Sequence, residues 1–400
     1  MDTGAIKAYA LGRETSAIEE FLVGASPLTR TDFDRDQYSR EKILIQCLDA
    51  WRLNPRACLI PLYNSHEHHA SRRESMHTQY YVGCDLGGTN IKAGLVDMTT
   101  GRVIASKDTK TLSYLGHEAV IGRIANLITE MVAEAGFEWS QIGGVGLSAP
   151  GRLDIEQGLT KFIPNLPGHW IDVPIKALLE GYLNVPVYIM NDVRAITYGE
   201  WAFGAGKGVD CMLCLAIGTG IGGGVVMNNQ LVLNQGGTAG ELGHITVDFH
   251  GPKCGCGNYG CVETFASGPA IAAMGLKAVV QGQATKIGEL VNYDLNKITA
   301  HVIATAAEAG DPVALEIWNT AGAYIGVAIM NAALVVGPKR VVVTGGVAAA
   351  GELLLRPIRE ELQRRMLIMP ADQVEVVPGE LGNDAGIIGL AVWAAHKGDL

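Results

Sequence analysis

From Tyr80 onward the chain strings short apolar runs between Gly, Thr and Asn. YYVGCDL, IKAGLVD and RVIASKD follow one another at hairpin distances and predict a three-strand meander. Helical spacing of apolar positions takes over across residues 116–135. IGGVGLSAP then reads as a buried strand and loop, 173–183 as a helix, PVYIMND as a strand ending on polar residues, and VRAITYGEWAF as another helix. Strand and helix in alternation define an α/β lobe. The pattern then restarts: CMLCLAIGTGIGGGVVMNNQLV repeats the strand, glycine turn and strand of YVGCDLGGTNIKAGLVDMTTGRVI, so two related halves are expected. Helices at 268–280, 298–309 and 312–336, the strands RVVVTGG and QVEVVPG, and a last helix at 385–395 complete the second half.

Residues 1–79 break from this scheme. They mix charges, carry helix-like patches at 16–23 and 40–51, and end in SHEHHASRRESMHTQ. His66, His68 and His69 have metal-ligand spacing, but a run rich in Ser, Arg and Glu reads as a mobile linker, and no chemistry is assigned to it. The expected organisation is an N-terminal extension of unknown role (1–79) followed by two lobes. A small α/β lobe (80–195) is completed by the C-terminal helix 384–400, and a large lobe (196–383) carries a cysteine-rich segment (244–261).

Composition narrows the function classes. With 400 residues, 48% hydrophobic and 18% charged, the chain exceeds one ordinary core. A net charge of -10 argues against a broad nucleic-acid or anionic-membrane surface and for a small-molecule partner. No apolar run is expected to approach the roughly 20 residues of a spanning helix, and no signal-peptide pattern opens the chain, so a cytoplasmic location is expected. The eight cysteines should then stay out of disulfides, three of them binding metal and Cys47, Cys58, Cys84, Cys211 and Cys214 remaining reduced.

GELGHITVDFHGPKCGCGNYGCVE places His244, Cys254, Cys256 and Cys261 within eighteen residues, between Glu241 and Glu263. Three thiolates and an imidazole close a tetrahedral Zn²⁺ shell with no open position, the signature of structural zinc. His250 competes for the imidazole place. His244 is preferred because it follows Glu241 by three residues, so that on a helical turn both face one way.

Asp85-Leu86-Gly87-Gly88-Thr89-Asn90 links two strands, and its glycines can turn backbone N–H groups toward phosphate oxygens. Gly218-Thr219-Gly220-Ile221-Gly222 has the same design in the second half. Facing each other, the two turns suit a nucleotide triphosphate tail, with Thr89 and Thr219 as hydroxyl donors and Asp85 fixing Mg²⁺ through water. Neither turn is a P-loop or a dinucleotide fingerprint, since both join strand to strand. Gly345-Gly346, after a buried strand, suits close approach of an adenosine. Asn191-Asp192 ends a strand, the usual place for catalytic groups in α/β folds. Asp192 is the expected base, although Asp is also a favoured helix cap.

Taken in order, DLGGTNIKAGLVD, GLSAPG, NLPGHW, IMNDVRA, LAIGTGIGGG, the GHx₉CxCx₄CxE spacing and VVVTGGV resemble the ROK family of sugar kinases and sugar-responsive repressors, from about Tyr80 to the C-terminus. The resemblance implies an actin-like ATPase fold (hexokinase-type, ribonuclease H-like) of two lobes with a zinc-binding insertion. It implies an ATP-dependent hexose kinase with Mg²⁺ and structural Zn²⁺, glucose at C6 being the first choice of acceptor, and a homodimer or homotetramer. Asp192 becomes the general base. Asn165, Asn191, Asp192, Glu241, His244 and Glu263 bind the sugar. Asp85, Gly87, Gly88, Thr89, Asn90, Lys92, Gly218, Thr219, Gly220, Gly222, Gly345 and Gly346 bind nucleotide. His244 then binds zinc with one ring nitrogen and a sugar hydroxyl with the other. Loss of the metal should therefore harm sugar affinity before nucleotide binding.

Two departures stand out: Arg194 where many family kinases carry a second small polar residue, and the N-terminal extension. The alternatives are a kinase for N-acetylmannosamine, N-acetylglucosamine or fructose, a sugar-responsive repressor, and a non-catalytic relative that keeps only the pocket. A repressor needs a helix-turn-helix, and residues 1–79 show near-balanced charge with no basic recognition helix.

Overall fold

The computed structural model describes residues 79–398 apart from 164, 165, 168, 235 and 236. The extension, its histidines, Cys47 and Cys58 thus lie outside the described residues. Twelve strands fall into two five-stranded sheets and one hairpin among the described residues. In the first sheet β1 (Tyr80–Leu86), β2 (Asn90–Asp97) and β3 (Arg102–Lys110) form the expected antiparallel meander. β4 (Ile142–Ser148) and β7 (Val187–Met190) extend it in parallel, giving the order β3-β2-β1-β4-β7. The second sheet repeats this plan. β8 (Cys211–Ile217), β9 (Ile221–Met227) and β10 (Gln230–Leu231) form the meander, with β11 (Arg340–Thr344) and β12 (Glu375–Pro378) parallel to β8. Each meander needs only tight turns, whereas each parallel addition needs a helical crossover.

β5 (Arg152–Asp154) and β6 (Leu159–Phe162) form a hairpin that the sequence reading did not predict, their apolar alternation being only three or four residues long. The helices of eight or more residues are α1 (His117–Glu134), α2 (Ile175–Leu183), α3 (Asp192–Phe203), α4 (Gly268–Val280), α5 (Ala300–Glu308), α6 (Pro312–Val336), α7 (Glu352–Arg365) and α8 (Ala385–Gly398). Helix α7 is also absent from the elements that the sequence pattern predicts. It carries seven charged residues and an internal Pro357, which mask its stripe of Leu354, Leu355, Ile358 and Leu362. The Pro357 ring lies against Gly322 of α6, so the proline packs rather than terminates.

Helix α6 corrects one expectation. With 25 residues it is long and apolar enough to cross a membrane. Its bounds are those expected, but Glu316, Asn319 and Asn331 punctuate the run and mask its apolar length, while its face of Trp318, Ala321, Ile325, Ala328 and Ile329 lies in the core over the second sheet.

Between the sheets, α3 and α8 cross in close contact. A Cβ on Gly389 would stand 1.7 Å from the Ala195 carbonyl oxygen, and one on Gly199 2.3 Å from that of Ala385. Helix α8 also lies on the first sheet, its Ile387 and Leu390 backbone against Gly83 and Gly146, while the start of α3 lies on β9 of the second. Glu200, fully buried in α3, accepts backbone N–H bonds from Ala205 (3.0 Å), Glu380 (3.1 Å) and Leu381 (3.0 Å), tying α3 to the loop before α8. A buried carboxylate is tolerable there because its oxygens are met by donors.

Candidate functional site

Strand β1 delivers Asp85 to the edge of the first glycine turn, where its carboxylate accepts a short hydrogen bond from the Ser148 hydroxyl on β4. The turn is closed by the Gly87 N–H to the Asn90 carbonyl (3.0 Å), and Thr111 buttresses it by bonding the Gly87 carbonyl (2.7 Å). Gly88, Thr89 and Asn90 are exposed at its tip. Lys92 is not free: its amine pairs with Asp384 (2.9 Å) and the Asn383 carbonyl (3.3 Å), so a phosphate would compete with the loop before α8 for it.

Strand β7 ends at Asn191, which caps α3. Its Oδ1 accepts from the backbone N–H of Val193 (3.0 Å) and Arg194 (3.4 Å). Asp192 is therefore the first residue of α3, and its own carboxylate takes a further bond from Val193 N–H (2.9 Å). The cap and the expected base are thus neighbouring residues. Asp192 is open to solvent yet flanked by dense protein. Desolvation first, and the Asp85 carboxylate second, push its carboxyl above the ordinary range. Burial likewise raises Asp85, opposed by the Ser148 hydrogen bond and the Lys92 charge. Two acids raised by burial, one of them also by the charge of the other, mark a site suited to cations or proton transfer.

In the second turn the Gly218 N–H bonds the Gly220 carbonyl (2.8 Å), leaving Thr219 exposed between them. A Cβ on Gly222 would strike Val193, which brings this strand directly onto the start of α3. Gly345, at φ +91°, needs glycine: a Cβ would stand 2.5 Å from the Ile217 carbonyl oxygen. Around Gly218 and Gly346 there is open space at the Cβ positions.

His244, Cys254, Cys256 and Cys261 place their ligand atoms within 4.8 Å of one another, and His250 is outside the group. The Cys254 sulfur is 3.6 Å from His244 Nδ1, and the Cys256 and Cys261 sulfurs are 3.7 Å apart. Ligands about 2.0–2.3 Å from a tetrahedral Zn²⁺ stand roughly 3.5–3.8 Å from each other, so the set fits that ion. With Nδ1 toward the sulfur, Nε2 is left for other work. Asn258 supports the group from outside, bonding the Cys261 sulfur (3.7 Å) and the Thr246 hydroxyl (3.0 Å).

Glu263 follows Cys261 on a short helix, Glu263–Ala266. One oxygen lies 3.8 Å from the Cys254 sulfur and the other accepts the Ile221 N–H (2.8 Å) at the end of the second glycine turn. The expected separation of metal arm from phosphate turn is therefore incomplete. Glu241 forms an ion pair with Arg194 (2.7 Å), a contact the sequence reading did not foresee. Asn165 lies outside the described residues. Among the other expected residues, the Asp85 charge acts on Asp192, the next residue Val193 lies against Gly222, and Glu263 reaches both Ile221 and the metal group. Two surface hollows along α6, of about 390 and 450 Å³, contain none of them.

The model of the ROK family matches residues 81–397. This chain belongs to the ROK family. Among its relatives, the glucokinase of Halalkalibacterium halodurans is 35% identical over 316 residues, 78% of this chain and 94% of that one. The xylose repressor of Bacillus subtilis is 32% identical, covering 78% of this chain and 76% of its own length. A ROK family glucokinase from Streptomyces griseus, solved with glucose and AMPPNP, is 32% identical with a TM-score of 0.66, covering 79% and 99% of the two chains. The paired sheets of this ROK chain are thus those of the actin-like, hexokinase-type fold, ribonuclease H-like in topology.

Proposed function

We propose that this ROK chain transfers the γ-phosphoryl group of ATP to the C6 hydroxyl of a hexose, glucose first, with Asp192 as the base. At the coarser level the chain is an ATP-dependent sugar kinase, as its similarity to glucokinases along nearly their whole length supports. The observation that carries the finer reading is the raised, solvent-accessible Asp192 carboxyl between Asp85 and the second glycine turn.

Asp192 accepts the hydroxyl proton as the sugar oxygen attacks phosphorus. A carboxylate whose pKa is raised above the ordinary Asp range is a better proton acceptor than a free one. The exposed N–H groups at Gly88–Thr89 and around Thr219 hold the phosphate oxygens in line, which is most of what phosphoryl transfer asks of a protein. Bound Mg²⁺, held beside Asp85, would neutralise developing phosphate charge. Gly345 and Gly346 would take the adenosine, and Asn191, Glu241, His244 and Glu263, with Asn165, the sugar hydroxyls. Zn²⁺ on His244, Cys254, Cys256 and Cys261 would fix the direction of the imidazole and of Glu263. In this reading the lobes 80–195 with helix 384–400, and 196–383, close about the crossing of α3 and α8 and exclude water. The enzyme would work in the cytoplasm as a homodimer or homotetramer.

The test is ADP release from ATP and Mg²⁺ across a panel of hexoses, including fructose and the two N-acetylhexosamines. Release greatest with glucose is expected; none with any sugar defeats the proposal. The likeness to a xylose repressor favours a second reading, a sugar-responsive repressor. DNA binding that weakens with sugar would establish it.

A further inference from the structure

The reading above gives Asn191 and Glu241 to the sugar, and one side chain lies between them. Arg194 is 1% exposed. Its Nε donates to the Ala239 carbonyl (3.0 Å), Nη1 to Asn191 Oδ1 (3.3 Å) and Nη2 to Glu241 Oε1 (2.7 Å). A guanidinium is buried only where acceptors meet its fork of N–H groups, and here three do, one from Asn191 and two from the segment 239–241.

We propose that Arg194 is a positioning residue that sets hexose selectivity by fixing which hydrogen-bonding atoms Asn191 and Glu241 turn toward the sugar. Asn191 Oδ1 already takes N–H groups from Val193, Arg194 and the guanidinium. The amide NH₂ is what remains for a ligand, so Asn191 acts as a donor only. Glu241 has one oxygen engaged by Arg194, and its side chain is 44% exposed, so the other oxygen is left to accept. The pocket therefore offers a donor and an acceptor bridged through one rigid group. Two neighbouring ring hydroxyls match it, one accepting from Asn191 and the other donating to Glu241, because a hydroxyl does both. A sugar lacking either hydroxyl leaves a fixed polar group unpaired and is rejected. This rests on the sugar-kinase reading for the placement of the ligand.

The experiment measures equilibrium binding of glucose, of each monodeoxyglucose and of a non-hydrolysable ATP analogue to the unaltered chain, Arg194→Asn and Arg194→Lys. Charge-assisted hydrogen bonds of this kind predict a loss of glucose affinity of about tenfold or more in Arg194→Asn, with nucleotide affinity nearly unchanged. The discrimination against deoxy sugars should collapse at one or two ring positions and persist elsewhere. Arg194→Lys should recover the position that faces Glu241 and not the one that faces Asn191, since an ammonium cannot span both. If Arg194→Asn does not fold, Arg194→Lys carries the test alone by that split. An unchanged deoxy-sugar profile, or equal loss at every position and of nucleotide, overturns the proposal. Sugar binding by the unaltered chain without turnover defeats the kinase reading and leaves this one standing; no hexose binding at all overturns both.

Discussion

The first sheet ends β1 on Asp85-Leu86, with Ser148 of β4 bonded to the carboxylate, whereas the corresponding place in the second sheet holds Ala216-Ile217, paired with Thr344 of β11. After β4 comes buried Ala149; after β11 come Gly345 and Gly346, with open space beside the second. One topology thus carries two outfits. The first half supplies Asp85 and Asp192, and the second supplies bare backbone with open space beside it, Glu241, Glu263 and the Cys/His group. Topology sets where a group stands at the strand ends, and the local side chain decides whether that place holds charge or open space.

The largest expected effect isolates the first half. Asp192→Asn should lower turnover at least about 10²-fold, as loss of a general base does. Its thermal midpoint should be equal or higher. A carboxyl raised in the folded state contributes stability below its unfolded pKa and loses it as pH rises through the folded one, so in its ionised form the group works against folding. Normal turnover, or a clear loss of stability, would break the assignment of chemistry to this half.

Removing metal acts on the second half. Chelation, or Cys256→Ser, should raise the sugar KM by about tenfold or more. It should raise the nucleotide KM less but measurably, because Glu263 spans the Cys254 sulfur and the Ile221 N–H. Equal rises would erase the distinction between arm and turn; no rise for nucleotide would mean that the Glu263 link carries nothing.

The junction between the halves is tested by Gly389→Ala, whose methyl group would meet the Ala195 carbonyl. Overpacking of this kind predicts a loss of about 1–3 kcal/mol, read from urea unfolding. A neutral result would show that α3 and α8 give way easily.

The smallest effect is a shift. The base must be ionised, so the acid limb of kcat/KM should lie above the ordinary Asp range. Asp85→Asn, by removing a neighbouring negative charge, should move that limb to lower pH in whatever rate remains. A limb that stays put would leave desolvation as the whole cause.

Much of the fold was legible because β1–β3 and β8–β10 are runs of apolar residues broken by glycine turns, and local pattern suffices for meanders. Helix α7 was not, since its charges outnumber its buried leucines and Pro357 looks like a stop until Gly322 makes room for its ring. Helix α6 was legible with its bounds, 312–336, but its few polar residues masked how long and apolar it is. In the site, the metal set and both turns announced themselves by spacing. The engagement of Lys92 with Asp384 and of Glu241 with Arg194 did not, because each pair joins residues far apart in the chain.

From residue order alone came the two related halves, the ROK resemblance, the four residues of the candidate metal group and the choice of His244 over His250, all of them matters of periodicity and short spacing. The fold decided how those parts face one another. It set the Asp85 charge beside Asp192, laid Val193 on Gly222, strung Glu263 between the metal arm and the second turn, and buried Arg194 between Asn191 and Glu241. Such relations depend on long-range packing of α3 and α8 against both sheets, and distance through space is not written in distance along the chain.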